Sequence, residues 1–236
     1  MKRDIVYILK KNITTEELKY SLRSVEANFP HRYVWFVGGQ PKGLTPDRAL
    51  PHEQYGEMKW DLIRSSMLEV VKQEELTDEF FLFNDDFFVM QQFKGTFVNF
   101  ADRKLKDRIN DFHQESMFLN RYARTLVMAR EELAAQGCTE INFEVHMPML
   151  FEKSKVADTI MRCRSPQMRS VYGNITKCKY KMRDDVKIHS LTDIPDKMDF
   201  VSTSDKSFVN GAIGKYIRNA FPYASRFEKG EGVSRG

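Results

Sequence analysis

The 236-residue sequence is short of the features that mark membrane proteins, secreted disulfide scaffolds and metal fingers. No apolar stretch approaches the roughly 18 residues that a helix needs to span a bilayer, so no membrane span is expected. Cysteine is scarce. Cys138, Cys163 and Cys178 are an odd number at wide spacing, which gives neither a zinc pattern nor a disulfide framework. A reducing, cytoplasmic setting is the simplest reading. The opening Met1-Lys2-Arg3-Asp4 is basic, but the apolar run Ile5 to Leu9 is too short for a secretory signal, and no small-residue cleavage site follows. The G-x-G-x-x-G and P-loop spacings are missing, as are a G-x-S-x-G elbow and an H-E-x-x-H zinc motif. Net charge is only +4, which suits anionic substrates without indicating nucleic acid.

What the chain does have is apolar material in short blocks. Hydrophobic residues make up 42% and charged residues 30%, with 18 Phe against 2 Trp; this is enough to bury a sizeable core. Ile5 to Leu9 reads as a first strand. Thr14 or Thr15 is placed to cap a helix carrying Leu18, Leu22 and Val25 on one face, with Pro30 as its stop. Tyr33 to Val37 is a second apolar run, ended by Gly38-Gly39. A long loop marked by Pro41, Gly43, Pro46 and Pro51 follows. Residues 58–75 have a helical pattern; Phe80 to Phe83 and Phe87 to Met90 are further apolar runs. Helices are also expected over 115–136, 153–163 and 208–220. Continuous apolar strands separated by helices predict an α/β fold: a doubly wound, mostly parallel sheet flanked by helices, with a more helical second half. Ligands of such sheets lie beyond the carboxyl ends of the strands, where Gly38-Gly39 and Asn84-Asp85-Asp86 both fall.

Asp85 and Asp86 follow one apolar run and precede another. Two adjacent carboxylates there are costly unless solvated, hydrogen-bonded or bound to a cation. One reading is a turn with one aspartate capping and the other facing water. The other is a site for magnesium or manganese shared with substrate phosphates. His146, in Phe143-Glu144-Val145-His146-Met147-Pro148, reads either as a packed residue or as a general base. The basic stretch over 162–187, which includes Arg169, is either a solvated face or a phosphate-capturing one. Gly38-Gly39 is explained as well by a tight turn as by phosphate binding.

The order of these segments carries a resemblance. Glu17-Leu18-Lys19-Tyr20-Ser21-Leu22-Arg23-Ser24-Val25-Glu26 resembles the ELRYSLRSIE block of the Stealth family of sugar-1-phosphate transferases. Leu76 to Phe88, with its Phe83-Asn84-Asp85-Asp86-Phe87-Phe88 core, is similar to that family's LSEHFIYFNDDFF. Val37 to Leu44 stands where the family has its TDxQxPxWL loop. His146-Met147-Pro148 with Lys153-Ser154, Arg169-Ser170, Phe200 to Asp205 and Phe221 to Glu228 resemble later blocks, in order. The chain departs from the family after its first strand, in the aspartate of the TDxQ loop, and at Gly56 to Trp60.

The resemblance implies a GT-A-like nucleotide-diphospho-sugar transferase fold, with residues 1–228 as one transferase domain and 229–236 as a flexible tail. It implies a divalent metal, magnesium or manganese, held by Asp85 and Asp86. It also implies catalytic roles for His146, Asp86 and Arg169, and a donor site of Arg23, Gln40, Asn84 and Asp205. The donor would be a nucleotide-sugar, a UDP-sugar first, and the acceptor a hydroxyl of a glycan or a modified nucleic acid. Three activities follow as expectations: sugar-1-phosphate transfer; transfer of the sugar itself, as in a GT-A glycosyltransferase releasing a nucleoside diphosphate; and non-catalytic binding of glycan or nucleic acid.

Overall fold

The computed structural model describes residues 2–11, 13, 15–53, 59–115, 120–196 and 198–228. Thr14, Met58, most of the 56–60 segment and the expected tail over 229–236 lie outside them. The elements in chain order are β1 (Asp4–Leu9), α1 (Thr15–Asn28), β2 (Val34–Gly38), β3 (Arg48–Leu50), α2 (Lys59–Val70), β4 (Glu79–Phe83), β5 (Phe87–Val89), β6 (Asn99–Ala101), α3 (Leu105–Glu115), α4 (Arg121–Ala135), β7 (Met149–Glu152), α5 (Lys153–Arg162), α6 (Met168–Ile175), β8 (Tyr180–Met182), β9 (Lys187–Ile188), β10 (Phe200–Thr203), α7 (Asp205–Asn210) and α8 (Ala212–Ala220).

The expected α/β fold with a mostly parallel central sheet is present. Strand order in the five-stranded sheet is β3-β2-β1-β4-β7. The β1–β2, β2–β3 and β1–β4 pairs are parallel, and β7 joins β4 antiparallel. Both faces are covered, which is why the strands read as unbroken apolar runs. Ile5, Tyr7, Phe36, Phe81 and Phe83 pack against Leu18, Leu22 and Val25 of α1. Val6, Trp35, Phe80 and Leu82 pack on the opposite face with Met67 and Val70 of α2 and Val156 and Ile160 of α5. The chain winds outward from β1 to β3, then crosses back to place β4 on the other side of β1. That reversal makes the β1/β4 boundary the topological switch point, where open α/β sheets bind their ligands.

Strand β5 departs from the expected layout. The run Phe87 to Met90 leaves the central sheet at the Asn84–Asp86 turn and pairs antiparallel with β10, which in turn pairs with β9. The outer edge of β5 is taken by a polar stripe of α1. Ser21 Oγ donates to the Phe87 carbonyl at 2.5 Å, Val89 N donates to Ser24 Oγ at 3.0 Å, and Asn28 Nδ2 donates to the Val89 carbonyl at 2.7 Å. The spacing of Ser21, Ser24 and Asn28 puts all three on one helix face.

At the far edge of the central sheet, side chains again replace a strand. The Asn99 amide accepts from Leu150 N and donates to the Leu150 carbonyl, and the Tyr172 hydroxyl accepts from Glu152 N.

The helical expectations need correction in three places. The helix expected over 115–136 is α4, started by the Asn120 side chain accepting from Ala123 N and followed by Gly137 at φ 65°, and the helix α3 that precedes it was not expected. The helix expected over 208–220 is broken at Gly211, where a Cβ would lie 2.4 Å from the Ser207 carbonyl oxygen. The helix expected over 58–75 ends at Val70. Within 162–187, α6 is buried from Met168 to Asn174, so this stretch is not simply a solvated basic face.

Ser24→Ala removes the acceptor of the buried Val89 N–H and should cost about 1–3 kcal/mol of stability. Urea denaturation checks it, and an unchanged midpoint would show that β5 does not depend on this contact.

Candidate functional site

The turn that follows β4 carries the acidic pair. Phe87 N donates to the Asn84 carbonyl at 3.2 Å, closing the turn through Asp85 and Asp86 at the switch point. Asn84 and Asp85 are half-buried, and Asp86 is 7% exposed. A carboxylate this buried needs strong partners. Asp86 Oδ2 receives Lys187 Nζ at 2.7 Å and Ser202 Oγ at 3.2 Å. Lys187 and Ser202 are register partners on β9 and β10, so the second sheet presents both to the turn.

The antiparallel direction of β7 brings in His146. Met149 is opposite Leu82; residues just before β7 therefore lie level with residues just after β4. The segment Phe143 to Met147 alternates apolar and polar. Val145 and Met147 enter the core, while Glu144 and His146 line a cavity of about 260 Å³ with Asn84, Tyr122, Gln167 and Arg169. His146 Nδ1 lies 2.8 Å from Asp185 Oδ2, and His146 N donates to Asp185 Oδ1 at 3.0 Å. Burial alone would raise the Asp185 pKa, but the hydrogen bonds and charge of His146 and the Lys187 amide bring it below the ordinary aspartate value. An ionised Asp185 at neutral pH holds the proton on Nδ1 and leaves the Nε2 lone pair free to act as a base.

Arg169, on α6, brackets the two segments. Its Nη1 donates to the Met147 carbonyl at 2.6 Å and its Nη2 to Asn84 Oδ1 at 2.9 Å. The guanidinium carbon lies 5.2 Å from the Phe87 ring centroid. Burial lowers the Arg169 pKa, against the opposing pull of Glu144 and Asp86; burial raises that of Glu144, against Arg169 and the Ser170 hydrogen bonds.

On the other side of the turn stands Glu17, in the first turn of α1, accepting from Thr203 Oγ1 at 2.9 Å. Its pKa is raised to about 7, first by burial and then by the charges of Asp86, Asp205 and Asp85, with the Thr203 hydrogen bond opposing.

The structure thus brings together Asn84, Asp85, Asp86, His146 and Arg169, with Asp205 close enough to act electrostatically on Glu17. It engages Arg23 elsewhere: the guanidinium pairs with both Glu228 oxygens, at 2.8 and 2.7 Å, and with the carbonyls of Phe221 and Pro222. Gln40 is exposed beyond β2. Gly38-Gly39 is accounted for by the turn itself, since Gly38 has φ 89° and a Cβ on Gly39 would lie 2.1 Å from the Lys10 carbonyl oxygen. Sequence reasoning missed Glu17, Tyr122, Glu144, Asp185, Lys187 and Thr203 as members of the site. The alternation over 143–147 was the available signal for Glu144.

Among the described residues, no group of three or more His, Cys, Asp or Glu side chains is placed to hold a metal ion. Magnesium-type ions often use one or two carboxylates and complete their shell with water and substrate phosphates. The adjacent carboxylates of Asp85 and Asp86 fit an ion shared in that way, not a closed protein cage.

No protein-family model matches the sequence, and no curated protein matches it. Among solved structures, the chain aligns with the crystal structure of the glycosyltransferase GlyE in Streptococcus pneumoniae TIGR4. The alignment has 9% identity and a TM-score of 0.36, and covers 94% of this chain and 50% of that one. The chain therefore spans half the length of that protein, and a likeness at this level carries no argument about reaction or substrate. No helix among the described residues is long and apolar enough to cross a membrane.

Replacing Glu17 by Gln tests the electrostatics of the turn. The folded protein holds the Glu17 proton more tightly than the unfolded chain does, so stability falls as pH rises from 4.5 through about 7. Glu17→Gln should raise the melting temperature at about pH 8, with the advantage shrinking at about pH 4. Equal gains at both pH values would remove Glu17 from the acidic group.

Proposed function

We propose that the chain is a transferase that moves a sugar-1-phosphate from a nucleotide-sugar, a UDP-sugar first, to an acceptor hydroxyl. The observation that carries this reading is the His146–Asp185 pair beside Arg169 and Asn84, in a cavity at the carboxyl end of β4. A general base, a buried guanidinium and an acidic turn converge at the carboxyl end of β4, an arrangement suited to phosphoryl transfer to a hydroxyl. The segment order shared with the Stealth family supports the same reading, as does a GT-A-like interpretation of the β3-β2-β1-β4-β7 sheet. Residues 1–228 are read as one transferase domain. The free cysteines among the described residues suit work in a reducing cytoplasm.

In the proposed reaction, His146 Nε2 takes the proton of the acceptor hydroxyl as its oxygen attacks the phosphorus nearest the sugar. The bond from that phosphorus to the bridging oxygen breaks, and a nucleoside monophosphate leaves. Asp185 holds the His146 tautomer and stabilises the imidazolium that forms. Arg169 offers its guanidinium to the developing charge while keeping Asn84 and Met147 in place. A divalent ion held by Asp85 and Asp86 would neutralise phosphate charge when bound.

The released nucleotide tests the reading. Incubation with UDP-sugars and acceptor glycans, with manganese or magnesium present, should yield a nucleoside monophosphate. A nucleoside diphosphate would overturn sugar-phosphate transfer in favour of glycosyl transfer. Asp185→Asn should lower turnover by about 10²–10⁴-fold while leaving donor binding in place. Full turnover in that variant would exclude the His146 dyad as the base.

A further inference from the structure

Lys187 occupies a position that the proposed reaction does not use. Its backbone N–H donates to Asp185 Oδ1 at 3.2 Å, on the dyad side of the site. Its ammonium reaches the other way to Asp86 Oδ2 at 2.7 Å, with the two side chains only 19% and 10% exposed. One residue on a two-residue strand therefore ties together the base and the acidic turn.

A hard cation bound by Asp86 needs carboxylate oxygen at close range, about 2.0–2.1 Å for magnesium. The ammonium already sits on Oδ2, and Ser202 shares that oxygen. Two cations on one buried carboxylate repel strongly where water cannot screen them. The long Lys187 side chain can leave the oxygen while its backbone stays fixed by the Ser202 register and the Asp185 contact.

We propose that the Lys187 ammonium and a divalent cation are alternative occupants of the Asp86 carboxylate, so that cation binding at the turn dislodges Lys187. This rests on the reading that the turn over Asp85 and Asp86 takes the ion. Without the ion, Lys187 supplies the positive charge that lets Asp86 stay buried and keeps the turn pinned to the second sheet. With the ion bound, the freed ammonium faces the same acidic turn as the donor's phosphates. The backbone link to Asp185 is untouched, so the base stays oriented in both states.

Manganese chloride alone is the probe, titrated calorimetrically into the wild-type chain, Lys187→Met and Lys206→Met. Lys206 is exposed and lies next to Asp205, so its loss reports the effect of charge without competition. Lys187→Met should bind manganese at least about tenfold more tightly than wild type, because the ion no longer displaces a buried charge pair. Lys206→Met should stay close to wild type. In parallel, acetylation of the wild-type chain, read by mass spectrometry, should modify Lys187 faster at saturating manganese than without it. This arm needs no variant to fold. Equal affinities for the two variants, or Lys187 acetylation unchanged by the ion, would overturn the proposal without by itself overturning the ion reading. Failure of both wild type and Lys187→Met to bind manganese would bring down the ion reading and the proposal with it.

Discussion

The position of the acidic turn is governed by the hydrogen bonds between the polar stripe of α1 and strand β5. The backbone groups of a buried strand edge must be paired, and Ser21, Ser24 and Asn28 take up those of Phe87 and Val89. Tyr7 on β1 joins the same network through Ser21 at 2.9 Å. The first strand, the first helix and the strand after the aspartates are thus locked to one another before any ligand is present. Because β5 is held between α1 and β10, the chain must turn at Asn84–Asp86, directly above the switch point.

The rest of the site is assembled by chain direction. A parallel neighbour of β4 would carry the residues preceding it to the wrong end of the sheet. Since β7 runs antiparallel, His146 arrives beside a turn sixty residues earlier in the chain. Arg169 and Lys187 then act as ties in opposite directions, one from α6 to Asn84 and Met147, the other from β9 to Asp86 and Asp185. Two buried charges in the site are answered by opposite ones: Arg169 by Glu144 and Asp86 by Lys187. Removing one member of such a pair leaves its partner buried, which costs more than the pair contributes.

Much of this was legible in the sequence for local reasons. Apolar runs covered on both faces announced β1, β2 and β4, and the helical spacing of Leu18, Leu22 and Val25 announced α1. The adjacent aspartates at a strand end were visible as a costly pair. What escaped were features set by long-range contact. The pairing of Phe87 to Val89 with β10 depends on residues more than a hundred positions away. Asp185 and Lys187 look like ordinary members of a charged stretch until His146 and Asp86 are placed against them. Arg23 sits in one of the blocks that resemble a known family, yet its geometry answers to Glu228, 205 residues away. A charge in a motif shows that a partner is needed, not which partner it will be.

The side chains along β7 have a consequence for the behaviour of the folded chain in concentrated solution. An edge strand with free amides and carbonyls is a template for the strands of other molecules. Asn99 takes both outward-facing groups of Leu150, and Tyr172 takes the amide of Glu152. The sheet therefore terminates at β7 in side-chain amide and phenol rather than in open backbone. The Asn99 amide is a stopper against edge-to-edge aggregation as much as a packing residue.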